Sequence, residues 1–475
     1  FDVHGVPIEM QVSERLNIRS KRDIEDVGRF CDECRSVVMV CANEWRSSME
    51  RFGRWAKFET PYKTMDLDFM NKVWEMFHLL YVNNHIKTGY RIAGYSTELE
   101  TQLSNFEASS NYKNRTDHSL TFCVKLVNYE IDGMDCYLSV FTTTPWTLPG
   151  NCILAINSNL DYIGYVRNGV IIFKVKGDET EYYVEKKGAE FVGKKYEEMF
   201  PDLSRSLYGD IPAEFHVVHH ANFVANSGTG IVHIAPMFGE NDFALCVSVG
   251  VVDGYGKNLC DYLTSKGELN LTVGQFFDIN YELTVCYKYN ARIIAYVETY
   301  MGDNFVEKRQ IEHNYPHCWR TDTPLIYRAR QSIVVDVSNF KEELLELNRQ
   351  INWFPSNVGD NQFNIWLENA RDWNISRDRY WGTPIPMWQE IDNSSNVIVI
   401  KNSHELEEYC GLTIDSITDL HRDKIDNLII NYRGKSYKRI DAVLDCWFDS
   451  GCVPSYFSGS NFIPSDFIAE GLDQT

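Results

Sequence analysis

The chain has 475 residues, of which 44% are hydrophobic, and a net charge of −21. That length exceeds what one hydrophobic core holds and implies two or three domains; the acidic excess, with no clustered basic run, weighs against a general nucleic-acid binder, which neutralises phosphates with grouped Lys and Arg. No apolar run approaches the ~18 residues that span a bilayer and the first residues lack the pattern of a secretory leader, so a cytosolic protein with no membrane partner is expected, its 13 irregularly spaced cysteines free thiols.

Phe1-Asp2-Val3-His4-Gly5-Val6-Pro7 opens without an initiating Met, and Glu470-Gly471-Leu472-Asp473-Gln474-Thr475 stops without a helix cap. Both ends read as cut, and a fragment is expected. Ile24 to Glu59 carries a charge-rich helical pattern. Cys31 and Cys34 have the spacing of a zinc-ligand pair, but no second close pair completes a tetrahedral set, so they read as structural thiols on a helix. A stronger helix places Met70, Val73, Trp74, Phe77 and Leu80 on one face, with Asp68 near its start and Lys87 then Gly89 at its end. Gly89 to Ile92 follows as a short strand.

From about Leu120 to about Val306 the texture is β. The apolar strand Tyr137 to Phe141 runs into Phe141-Thr142-Thr143-Thr144-Pro145-Trp146-Thr147-Leu148-Pro149-Gly150-Asn151. Pro145 and Pro149 fix φ and remove two donors, so the strand cannot continue. Three consecutive β-branched threonines then hold their hydroxyls in few directions, as a pocket for a small polar substrate requires; the plain alternative is a Thr-rich strand end closed by a Pro turn. Asp161 to Lys174 is a hairpin signal, turning at Asn168-Gly169. Phe215 to His220 and Ile231 to Ile234 read as further strands, with Gly228-Thr229-Gly230 between them. His216 and His220 would share a face and His219 point away, a poor metal set. After Ala235-Pro236-Met237-Phe238-Gly239-Glu240-Asn241 comes Asp242, in a loop or at a helix N-cap: a plain cap, or an anionic anchor for a substrate ammonium.

From Thr321 on the texture returns to α/β. Lys341 to Asn352 and Asn361 to Trp373 read as helices, and Ala442-Val443-Leu444 as a buried strand ending at Asp445-Cys446-Trp447-Phe448-Asp449-Ser450-Gly451. An α/β domain interrupted by a β domain suggests an insertion into a nucleotide-binding sheet.

Seven motifs occur here in a fixed order: Asp2-Val3-His4-Gly5-Val6-Pro7-Ile8-Glu9, the Thr-rich run, Gly228 to Asp242, Pro316-His317-Cys318-Trp319-Arg320, Arg377 to Pro386, Asp445 to Gly451 and Glu470 to Gln474. In that order the chain resembles the class I isoleucyl-tRNA synthetases over essentially its whole length. Ser104-Asn105-Phe106-Glu107 and Phe467-Ile468-Ala469-Glu470-Gly471 resemble the eukaryotic cytosolic branch. The resemblance implies an α/β fold: a Rossmann-like catalytic core (1–95 and 331–475), a stalk (96–119 and 307–330) and a largely β, barrel-like inserted editing domain (120–306). It implies isoleucine–tRNA ligase activity with hydrolytic removal of misactivated valine; a valine–tRNA ligase or a non-catalytic tRNA-binding module is the alternative within this resemblance, and a metal hydrolase using His216 to His220 the alternative outside it.

By the same resemblance, Asp2 and His4 belong to the synthetic site, with Asp2 on the ammonium of isoleucine; Trp447 walls the side-chain pocket; and Glu470, Gly471, Asp473 and Gln474 contact the aminoacyl adenylate. Thr142, Thr143, Thr144, Asn151, His233 and Asp242 match the editing pocket, with Asp242 holding the amino group. Implied partners are isoleucine tRNA, isoleucine, valine and ATP, the last a substrate used with magnesium in the full-length enzyme. The His-x-Gly-His and Lys-Met-Ser-Lys-Ser motifs do not occur in the sequence, so amino-acid activation by these residues alone is not expected. Bacterial relatives hold zinc with two Cys pairs; only Cys318 remains here, and no zinc is expected. A hydrophobic site separates two side chains differing by one methylene by only about 1–3 kcal/mol, isoleucine against valine being the standard illustration, so a second site that rejects the larger side chain is required.

Overall fold

In a computed structural model of the chain, residues 1–18, 21–54, 58, 61–279, 284–302, 305–393, 396–458 and 465–469 are described. They form two compact units, Gly89–Gln331 and the pair of segments Phe1–Thr88 and Ser332–Thr475.

The unit Gly89–Gln331 is built on a nine-stranded mixed sheet. Alternate residues of Tyr112–Ile131 and Met134–Thr142 point inward, so Leu120, Phe122, Leu138 and Val140 join Leu154, Ile156, Ile171 and Phe173 in one core. Asp161–Arg167 and Val170–Val175 form the expected hairpin, and Asn168 and Gly169 both take positive φ (48° and 79°), as a two-residue type I′ turn demands. Met134–Thr142 lies parallel to Ile231–Ile234, which is antiparallel to Ile153–Ile156. The ends of the first two strands and the start of the third therefore share one edge of the sheet.

Two expectations change in this unit. The strand after Phe215 covers only Val218–His220, because His216 sits at φ 58° and breaks the alternation. The β texture also begins earlier than Leu120: Tyr112–Ile131 is one long strand whose polar first half pairs residue by residue with Phe305–Pro316.

In the other unit, Val27–Arg51 is a helix capped by Asp26, whose carboxylate accepts the Arg29 N–H, and Cys31 and Cys34 are buried on its inner face beside Phe30, Val37 and Val38. The helix over Met70 to Leu80 spans Leu67–Val82 and stops short of Lys87 and Gly89. Asn83 and Asn84, the latter at φ 60°, turn the chain, and both later residues lie in the 11-residue strand Ile86–Ser96. The helix expected to run to Asn352 ends at Asn348. That expected over Asn361 to Trp373 is a π-turn, Val358–Phe363, continued by Asn364–Glu368, while Trp373 pairs with Val335 as a strand. Val443–Leu444 is a buried strand paired with Ser376–Arg377, and it feeds the short helix Cys446–Gly451.

Candidate functional site

At the shared strand edge of the unit Gly89–Gln331, Thr142 closes its strand and Pro145–Gly150 forms one fully buried 3₁₀ turn. Trp146 is buried edge-on to Phe238 (5.0 Å), and its main chain is held by Asn290 and the Tyr262 hydroxyl. The indole makes the turn rigid from below.

The three threonines divide the work. Thr142 Oγ1 accepts the Thr144 N–H at 3.1 Å, and Thr144 Oγ1 lies 3.3 Å from Thr147 Oγ1, so both shape the turn. Among the described residues the half-buried Thr143 hydroxyl has no hydrogen-bond partner, which leaves it for a ligand.

A directed chain of hydrogen bonds crosses the site. Thr147 Oγ1 donates to the Thr144 carbonyl at 2.8 Å, so it accepts from His233 Nε2, also 2.8 Å away. His233 Nδ1 is then bare and faces Asn151 Nδ2 at 3.4 Å, and the Tyr196 hydroxyl donates to Asn151 Oδ1 at 2.7 Å. The tautomer of His233 and the orientation of the Asn151 amide follow from this donor order. Burial pushes the His233 imidazole down to about 4, so it is neutral near pH 7, with both nitrogens committed.

Asp242 is the third residue of the helix Glu240–Ser248, not its cap. Its carboxylate accepts the Ala235 N–H at 2.8 Å, tying the helix start to the end of the strand that carries His233. Burial pushes Asp242 up to about 6, against the pull of that hydrogen bond. Gly239 is needed at the cap because a Cβ there would lie 2.7 Å from the Asp242 carboxyl carbon. Thr142, Thr144, Asn151 and His233 are thus joined directly or through Thr147, and Asp242 is fastened to the same strand end. Thr147 and Tyr196 complete the network without having been singled out. The three-residue spacing of Thr144 and Thr147 across a Pro-initiated turn could have indicated the first; nothing local in sequence points to Tyr196.

The histidines from His216 to His220 do not converge. His216 packs edge-on to Tyr196, while His220 Nδ1 accepts the Ser158 N–H and Nε2 bonds Asn222. Among the described residues no group of three or more His, Cys, Asp or Glu side chains is gathered for a metal.

In the other unit, Asp2 is exposed and accepts from the Ser450 hydroxyl at 2.9 Å. His4 is buried 2.8 Å from Asp449. Trp447 is on the same helix as Asp449 and Ser450, Cys446–Gly451, and is half-exposed. Glu470, Gly471, Asp473 and Gln474 lie outside the described residues.

A model of the family "tRNA synthetases class I (I, L, M and V)" matches residues 1–475. The chain belongs to this family. It is 39% identical to the cytoplasmic isoleucine–tRNA ligase of Saccharomyces cerevisiae, with all of this chain and 45% of that protein covered. It is 37% identical to the isoleucine–tRNA ligase of Bdellovibrio bacteriovorus (100% and 45%) and 36% to that of Antonospora locustae (100% and 75%). The chain spans about half the length of most of these relatives.

Proposed function

We propose that the chain is part of a cytoplasmic isoleucine–tRNA ligase, which joins isoleucine to its tRNA at the expense of ATP, and that the unit Gly89–Gln331 hydrolyses misactivated valine from valyl-tRNA or valyl adenylate. Isoleucine, valine, ATP and isoleucine tRNA are its ligands; ATP is a substrate, used with magnesium in the complete enzyme. The observation that carries the reading is the meeting of Thr142–Thr144, Asn151, His233 and Asp242 at one strand edge, which offers a ligand both a free hydroxyl and an anionic anchor. Similarity to isoleucine–tRNA ligases over the whole chain supports the choice of isoleucine over valine.

The geometry supports a division of roles. Asp242, ionised above about pH 6, holds the amino group of the aminoacyl ester. The rigid turn excludes the larger side chain, and Thr143 orients a water toward the ester carbonyl. The water oxygen attacks, the ester C–O bond breaks and the ribose hydroxyl leaves with a proton. His233 is no general base here: its Nε2–H is given to Thr147 and its Nδ1 faces an amide N–H, so it holds the pocket's shape. Positioning, aided by the substrate's own ribose hydroxyl, drives the step.

The test is deacylation of valyl-tRNA and isoleucyl-tRNA, both on isoleucine tRNA, by the 475-residue chain in the presence of a metal chelator. Selective loss of valine is expected, abolished in Asp242→Ala. Equal hydrolysis of both esters overturns steric selection, and full activity of the variant removes Asp242 from its role.

A further inference from the structure

Three of the sequence motifs interlock in the unit that carries Asp2. Trp381 Nε1 donates to the Val3 carbonyl at 2.8 Å, and Thr64 Oγ1 accepts the Val3 N–H at 3.1 Å, so the residue between Asp2 and His4 is pinned on both sides. Consecutive residues of the helix Cys446–Gly451 then take the two neighbours: Asp449 bonds His4 and Ser450 bonds Asp2. Behind His4 the chain of contacts continues. His4 Nε2 lies 3.0 Å from His421 Nε2, His421 Nδ1 lies 2.5 Å from Asp419 Oδ1, and Arg35 Nη2 donates to Asp419 Oδ2 at 2.7 Å. His421 cannot turn away, because its ring is stacked flat on Trp381 at 4.2 Å and 4°.

We propose that Asp449, His4, His421 and Asp419 form a buried proton relay, anchored by Arg35, that positions Asp2 and sets the charge beside it for binding the ammonium group of an amino acid. The ligand assignment rests on the function proposed above; the relay itself does not.

The donor directions follow from one end. Asp419, paired with the Arg35 guanidinium, is an acceptor, so His421 Nδ1 carries a proton. Burial pushes the His421 imidazole down to about 4, so its Nε2 is bare and must accept from His4 Nε2–H. Burial also raises the Asp419 carboxyl, but the ring and backbone hydrogen bonds from His421, with the Arg35 charge, outweigh it and hold the group well below the usual range. One proton is left, between His4 Nδ1 and Asp449 Oδ2. On Asp449 it makes a neutral acid beside a neutral imidazole; on His4 it makes a carboxylate beside an imidazolium. Burial raises the Asp449 carboxyl and the His4 bond opposes it, while Asp449 Oδ1 has no hydrogen-bond partner among the described residues. Transfer in either direction leaves the relay with three protons and a net charge of −1. Only the position of positive charge changes, and the imidazolium form places it two residues from Asp2. Other charged and titratable groups around the relay include Glu9, which accepts the N–H groups of Tyr380 and Trp381, Asp423 and Asp32, which pair with Arg35, and Cys446 with Arg379 near it.

The test uses the 475-residue chain with ¹⁵N-labelled histidine, as wild type and Asp419→Asn, and isoleucine as the probe ligand. Ring ¹⁵N shifts should show His421 with a protonated Nδ1 and a bare Nε2, and His4 protonated at Nε2; Asp419→Asn should shift the His4 signals across the ring-to-ring contact. Independent titration of the two rings, or unchanged His4 signals in the variant, overturns the relay. Isoleucine affinity by calorimetry should fall about tenfold in Asp419→Asn, with an altered pH profile. The same affinity and profile in both proteins overturns the positioning role. Absence of isoleucine binding to wild type counts against the ligand assignment, and the ring shifts then decide the relay alone.

Discussion

His233 and Asp242 sit within one strand end of each other and titrate in opposite senses. A buried neutral histidine leaves the unfolded chain binding more protons between about pH 4 and 6.5, so its contribution to stability is lost as pH falls through that window. Asp242, raised from 3.8 to about 6, binds its proton more tightly when folded, so its contribution is complete below pH 3.8 and is lost as pH rises toward 6. Each effect is about 3 kcal/mol in size, and over the shared interval they largely cancel. Removing one side should expose the other: denaturant midpoints at pH 4.5 and 6.5 should rise with pH more steeply in Asp242→Asn than in wild type, and fall with pH in His233→Gln. Parallel curves for all three proteins would show that neither group is buried as described. The same ionisation bears on activity. Below about pH 6 the carboxylate proposed to meet the ammonium is lost, so KM for valyl-tRNA hydrolysis should increase as pH drops. Tyr196→Phe tests the remote end of the network, since it leaves Asn151 Oδ1 buried without its donor. A stability loss of about 1–3 kcal/mol is expected, together with a fall in kcat for deacylation that a core defect elsewhere in the unit would not produce.

Turns and caps position these side chains, and two glycines show how. Gly230 precedes the strand of His233 at φ 67°, and an added Cβ would lie 2.4 Å from the Val175 Cβ, so Gly230→Ala combines backbone strain of roughly 1–2 kcal/mol with a clash inside the sheet. Gly239 has an ordinary extended φ of −144°, and the three atoms nearest an added Cβ all belong to the Asp242 carboxyl. Gly230→Ala should therefore lower thermal stability markedly, whereas Gly239→Ala should leave the melting temperature nearly unchanged and raise KM for hydrolysis; equal losses of stability would refute the distinction. Elements with local signatures are legible in the sequence: the Asn168-Gly169 hairpin, the strand Ile231–Ile234 and the Pro-broken threonine turn each carry their own chemistry. The misreadings have local causes too. Asn83-Asn84 ended a helix whose apolar pattern suggested a stop at Lys87 and Gly89, and a positive φ at His216 interrupted an alternation that composition alone could not reveal.

Across the whole molecule, legibility falls with sequence distance. Thr142, Asn151, His233 and Asp242 could be grouped because their motifs resemble a known family. Asp419 and His421 could not, since what gives them meaning is contact with Arg35 and with His4, hundreds of positions away, and Tyr196 reaches Asn151 without any pattern linking the two. The two units each enclose their own apolar core, so unfolding followed by different probes should not give coincident transitions. Single-step unfolding with coincident probes would show that the units cooperate fully.

The distribution of thiols supplies those probes without any added label. Cys31, Cys34 and Cys452 are buried in one unit and Cys123, Cys136, Cys152, Cys246, Cys286 and Cys318 in the other, all of them free. A maleimide reaches such a sulfur only when the surrounding structure opens, so each modification is a time stamp on a local opening event. Peptide mapping after pulsed alkylation should sort these nine positions into two kinetic groups that coincide with the two units. Cys152, next to Asn151, and Cys246, four residues past Asp242, would then report whether aminoacylated tRNA slows the opening of the edge proposed to bind it.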